Sequence, residues 1–145
     1  MNRESSTTAW AYVIGVWAVV ILLGALAVVY EPPSTSDILP LVALLLLGVL
    51  ARTLPDSVVS MSGDGVRFSF FGIITLSAAV MVGPFGGAVV GVLPTLLQPV
   101  RMRAVRRVFN AGMFGVVGLV GGFAYVLAGG ADPLTVSGTE SVLLD

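Results

Sequence analysis

The sequence predicts an all-α, polytopic membrane helix bundle with about five transmembrane helices and a cytoplasmic N-terminus. Three observations carry that expectation. Of 145 residues, 57% are hydrophobic and 10% charged, with a mean hydropathy of +1.03. Two uncharged apolar runs each reach 21 residues, and the arginines all fall on or next to alternate connections. A chain this small cannot hide so much apolar surface inside itself, so hydrocarbon is the natural solvent for the surplus.

Residues 1–8, MNRESSTT, read as a polar cytoplasmic segment with Arg3 and the candidate helix caps Thr7 and Thr8. The apolar run at 9–29 is long enough, at about 1.5 Å per residue, to cross roughly 30 Å of hydrocarbon. A secretory signal peptide would have a shorter apolar core of roughly 7 to 15 residues, so this run is expected to be a retained first helix. Residues 30–37, YEPPSTSD, form an exposed turn around Pro32 and Pro33. A second helix follows at 38–54, with Pro40 tolerated in its first turn and Arg52 expected to snorkel toward headgroups. Pro55 stops it.

The polar stretch 56–67 contains Gly63-Asp64-Gly65 and suits a small hairpin or re-entry loop. The third and fourth helices are expected at 68–82 and 84–100, divided by Gly83-Pro84 and hence a tight antiparallel pair. Pro94 should kink or break the fourth helix, and Pro99 closes it. After the basic connection 101–107, RMRAVRR, a fifth helix is expected at 108–128. The domain organisation is then a cytoplasmic segment 1–8, a transmembrane bundle 9–128, and an extracytoplasmic tail or truncated loop 129–145. With a cytoplasmic N-terminus, Arg3, Arg52, Arg67, Arg101, Arg103, Arg106 and Arg107 all lie on or next to the inner side.

Composition excludes several chemistries. Lysine, histidine and cysteine are absent, which removes disulfides, thiolate nucleophiles, iron–sulfur ligands, histidine-held haem, the usual zinc sites and a Ser-His-Asp triad. There is no phosphate loop, no dinucleotide-binding glycine motif and no acidic pair at helical spacing for general acid and base work. The expected chain has no catalytic centre, no cofactor and no nucleic-acid partner.

Candidate positions are of three kinds. Gly87 and Gly91 on the fourth helix, with Gly112, Gly115, Gly118 and Gly122 on the fifth, form small-residue stripes that allow close backbone approach, and the two helices are expected to pair, within the bundle or between protomers. Arg101, Arg103, Arg106 and Arg107 suit three roles: holding the connection at anionic headgroups, docking a cytoplasmic domain, or recognising a nucleotide or phosphorylated ligand. Asn110 is expected to cap the fifth helix or to hydrogen-bond Thr95 or Gln98 across the bundle. Asp56 and Asp64 read as solvated turn residues.

The segment ITLSAAVMVGPFGGAVVGVLPTLLQPVRMRAVRRVFNAG, residues 73–112, places a small-residue helix start at Gly83-Pro84-Phe85-Gly86 ahead of an arginine-rich turn, and Arg107-Val108-Phe109-Asn110-Ala111 opens the next helix. With Glu31-Pro32-Pro33 and Ala131-Asp132-Pro133-Leu134, this layout resembles the N-terminal membrane-associated sensor regions of bacterial cyclic-di-GMP signalling proteins, over most of residues 10 to 140. Much of the likeness is hydropathy and glycine placement. Those regions precede diguanylate cyclase or HD-type phosphodiesterase domains, so the resemblance implies signal reception or anchoring in a bacterial inner or plasma membrane, a cytoplasmic signalling domain or protein as partner, and no catalytic residue here. In such proteins another helix ordinarily returns the chain to the cytoplasm, whereas this sequence ends at Asp145, as a fragment, a truncated copy or a subunit with a separate partner would. Two other functions fit the residues: a small-molecule binding subunit of a transporter, motivated by Pro94, Thr95, Gln98 and Asn110, and a non-enzymatic scaffold, monomeric or homo-oligomeric.

Overall fold

The computed structural model describes residues 3–53, 70–98 and 104–130. Among these residues the chain is all-helical, with five α-helices: α1 Arg3–Tyr30, α2 Ile38–Thr53, α3 Phe70–Met81, α4 Gly83–Leu97 and α5 Ala104–Leu127. The end of the bundle where α1 begins is called proximal below, and the end where it stops distal. The expected connection at 55–67, together with Arg101, Arg103 and the tail from 131, lies outside the described residues.

The helix starts differ from expectation in two places. α1 already includes Thr7 and Thr8, which are interior residues rather than caps. α5 begins at Ala104 and places Asn110 inside the helix, so Asn110 is not a cap either. Arginine is a good helix former, so Arg106 and Arg107 extend the apolar helix backwards instead of breaking it. At the distal end, Ser34 accepts a hydrogen bond from the Ser36 amide, and Asp37 accepts one of 2.7 Å from the Ser34 amide. This reciprocal cap closes a single 3-10 turn, Thr35–Asp37, that leads directly into α2.

Among the described residues, three segments are long and apolar enough to cross a membrane: Thr7–Tyr30, Thr35–Thr53 and Ala104–Leu127. α3 and α4 have 12 and 15 residues, about 18 and 22 Å at 1.5 Å per residue, against the roughly 30 Å of a hydrocarbon core. Only Val82 separates them, and Gly83 makes the reversal with φ +81°. That left-handed conformation favours glycine, and a Cβ there would also meet the Glu31 carboxylate at 3.0 Å.

α4 is the hub, packing on all four other helices, while α1 and α2 lie on opposite flanks without touching each other. One core cluster joins α1 to α4 and α5 through Val20, Ala27, Ala88 and Leu119. The other joins α2 to α3 and α4, with Ile74, Ala78 and Val90 packed by Leu41, Leu44 and Leu45. Outside these seams, Ile14, Ile21 and Leu22 on α1 and Leu39, Leu46 and Leu50 on α2 are exposed. A surface of this kind suits hydrocarbon rather than water, where each such side chain forgoes about 1.5–3 kcal/mol of burial.

Candidate functional site

The α4–α5 seam is built backbone against backbone. A Cβ at Gly118 would fall 2.3 Å from the Gly87 carbonyl, one at Gly91 2.5 Å from the Phe114 carbonyl oxygen, and one at Gly122 2.5 Å from the Pro84 Cα. Only glycine permits that approach, which replaces side-chain packing with direct helix-to-helix dispersion contact. Gly112 lies on another face: its space is taken by Val16 and Trp17 of α1, and Trp17 Nε1 donates to the Val108 carbonyl at 3.1 Å. Gly115 sits between the two, against Val92 of α4 and Val20 of α1. Gly112, Gly115, Gly118 and Gly122 therefore serve two partner helices, α1 and α4, rather than one stripe.

At the proximal side of this seam the structure gathers the least apolar group in the bundle. The Arg52 guanidinium, expected to snorkel outward, instead turns inward from the last turn of α2. Its Nη2 donates to Thr95 Oγ1 at 3.1 Å, and Thr95 in turn donates to the Gly91 carbonyl at 2.9 Å. The guanidinium carbon lies 4.0 Å from the Phe71 ring centroid and 4.6 Å from that of Phe114. The two rings meet edge to face, with centroids 4.9 Å apart, so they form two walls of a corner that receives the cation. Each wall contributes about 0.5–2 kcal/mol, more as water is withdrawn. Gly48, one turn back on α2, makes room for the approach, since a Cβ there would meet Pro94 at 3.0 Å and Phe71 at 3.3 Å.

Helix register gives the depth of this cation. Gly115 is level with Val20, near the middle of the apolar run of α1. Thr95 is four residues proximal to Gly91, which touches Phe114 and Gly115. Arg52 is thus held roughly one turn proximal to Val20, and about two turns inside the end of the run at Ala9. A charge at that depth in a helix bundle is a functional-site candidate by default.

Of the residues expected to act together, Thr95 is buried and engaged with Arg52 and Gly91, not with Asn110. Gln98 ends α4, half-buried, and Asn110 is half-buried on α5. Arg106 is exposed and Arg107 half-buried in the first turn of α5. Sequence reasoning missed Arg52 as the centre of a site. Its one local signal is a lone charge closing an apolar helix, while its hydrogen-bond partner lies 43 residues away.

A second feature lies at the distal end, where Glu31, Pro32, Asp37, Gly83 and Tyr125 line a small pocket. The Asp37 carboxylate there is already committed to the Ser34 cap. Among the described residues, no group of three potential metal-ligating side chains occurs.

No protein-family model, curated protein or solved structure matches the chain.

Proposed function

We propose that the chain is a non-enzymatic, multi-pass module of a bacterial inner or plasma membrane that couples the state of the membrane or of a ligand to a cytoplasmic signalling partner. In this reading the proximal end faces the cytoplasm, and the short α3–α4 hairpin completes five passes with α1, α2 and α5. The observation that carries it is the Arg52 corner, a cation held deep in an apolar bundle where α2, α3, α4 and α5 meet beside Pro94. A signal needs an element with two arrangements that a ligand or membrane property can bias. Here a helix with an interior proline, a threonine bonded to its own preceding turn and a guanidinium leaning on two rings converge on one point. This reading assigns contact with a cytoplasmic partner to the arginine-rich sequence 101–107, of which Arg106 is exposed in the first turn of α5.

The test is partner capture from intact cells by chemical crosslinking, with quantitative mass spectrometry. Replacing Arg101, Arg103, Arg106 and Arg107 together by Gln is expected to reduce captured cytoplasmic signalling proteins severalfold, with the membrane level of the chain unchanged. Equal capture by both forms removes the coupling role. The proximity of Arg52 and Thr95 to Pro94, inside the continuous helix α4, also favours a second reading, a substrate-binding subunit of a transporter. Ligand-dependent uptake in vesicles, with no partner captured, would favour it.

A further inference from the structure

The exposed apolar surface differs in height on the two sides of the bundle. On α1 it runs from Trp10 to Tyr30, about 30 Å along the helix, and the apolar run of α5 from Val108 to Leu127 covers about 28 Å. On α2 it runs from Ile38 to Leu50, about 18 Å, between Asp37 and the exposed Thr53, and on α3 from Phe70 to Met81, about 16 Å. α1 packs on α5 and α2 packs on α3, while α1 touches neither α2 nor α3 among the described residues. Contacts through α4 give the relative heights. α2 and α4 run in the same direction with Gly48 against Pro94, so Leu39 is level with Phe85, the neighbour of the Pro84 that meets Gly122 of α5. α1 and α5 also run together, with Val20 against Gly115, so Ala25 is level with Val120. Leu39 and Ala25 thus stand at one height, within about one 1.5 Å rise. Gly91, against Phe114 and Gly115, carries the register to the proximal end, where Leu50 is level with Ile14. From these matched heights α2 reaches Asp37 in about 3 Å and Thr53 in about 4–5 Å, whereas α1 reaches Glu31 and Thr8 in about 9 Å each. Both edges of the short flank therefore lie inside those of the long one. At the distal edge the Glu31 and Asp37 carboxylates line the pocket over the α3–α4 turn, so the polar boundary steps down on that side.

We infer that the α2–α3 flank is a surface for thinned bilayer: lipid is its occupant, and the hydrocarbon narrows from about 30 Å beside α1 and α5 to about 20 Å beside α2 and α3. A short apolar span is matched by flanking side chains that snorkel, by association with another protein, or by thinning of the lipid. Snorkelling is not used at the proximal edge of α2, because the long Arg52 side chain turns into the bundle toward Thr95. At the distal edge the Asp37 carboxylate is short and held in the Ser34 cap. The outer surface of the flank is also poorly made for another helix. Its exposed residues include Leu39, Leu46, Leu50, Ile73 and Leu76, and the one glycine of α2, Gly48, is buried against Pro94 and Phe71. Close helix pairing in a membrane uses small residues, whereas large aliphatic side chains mix readily with acyl chains.

The inference rests on the membrane reading above and deepens it by naming the hydrocarbon thickness to which one flank is matched. The chain has no cysteine, so Leu39→Cys, Ala25→Cys, Leu50→Cys and Ile14→Cys each provide one site for a nitroxide, all at exposed positions. Each labelled full chain is reconstituted in dioleoylphosphatidylcholine vesicles, and the depth of the label is read by electron paramagnetic resonance from its relative accessibility to oxygen and to a water-soluble nickel chelate. The label at position 39 is expected about 6 Å shallower than that at 25, and the label at position 50 about 4 Å shallower than that at 14. Equal depths within each pair overturn the thinned flank and leave the membrane reading standing. A shallower label at 39 combined with a deeper one at 50 describes a tilted bundle in a flat bilayer, which overturns it as well. Labels at 39 and 50 shielded from both relaxation agents show a protein covering the flank, with the same consequence. A chain that stays out of the vesicles overturns both readings.

Discussion

Gly118 and Gly15 are both glycines in apolar helices, yet their surroundings make opposite demands. A Cβ at Gly118 would collide with the Gly87 carbonyl at 2.3 Å, backbone that cannot yield without separating α4 from α5, whereas nothing lies within 4 Å of a Cβ at Gly15. Gly118→Ala is therefore expected to destabilise the bundle by about 1–3 kcal/mol, as overpacking does. Gly15→Ala is expected to be neutral or to stabilise by roughly 0.5–1 kcal/mol through helix propensity. Thermal unfolding in detergent followed by circular dichroism distinguishes them, and equal midpoints would contradict the seam. Arg52 shows the same dependence on surroundings. As a residue type at the end of an apolar helix it suggests snorkelling, but Gly48 opposite Pro94 brings α2 close enough for the guanidinium to reach Phe71, Phe114 and Thr95.

α1 and α5 show how a helix seam forms when both sides of it are apolar. The buried positions of α1 are Val13, Val20 and Ala27, repeating every seven residues, and the faces between them are largely exposed. That repeat describes a left-handed, shallow crossing on α5, and the notch at Gly112 receives Val16 and Trp17. Filling the notch with Gly112→Leu is expected to push α1 off α5 while both remain helical, because each is a long apolar helix in its own right. In a Trp10→Phe background, quenching of Trp17 by brominated lipid should then rise about twofold. Unchanged quenching would mean that α1 docks by another face. The position of α2 and the distal end of α5 were legible from runs and breakers, and the α3–α4 reversal from Gly83-Pro84. The starts of α1 and α5 were not, because polar residues with good helix propensity continue a helix past the end of its apolar run.

For the molecule as a whole, the absence of cysteine makes orientation directly measurable, since any introduced thiol is unique. Ser34→Cys, in the exposed turn between α1 and α2, is expected to react with a membrane-impermeant maleimide on intact cells. Ser5→Cys is expected to react only after permeabilisation. The reverse pattern would overturn the proposed orientation and move the Arg52 corner to the other leaflet.

Helicity, the three apolar segments of membrane-crossing length and the small-residue character of α4 and α5 are properties of local sequence, because they depend on propensity, run length and spacing within one helix. Which glycine meets which helix, where Asn110 sits relative to Thr95, and that Arg52 turns inward were decided only by tertiary structure. In a water-soluble protein the hydrophobic pattern marks the buried face of each helix. Here lipid and interior are both apolar, so the pattern carries little directional information, and close packing with a few polar contacts selects the neighbours.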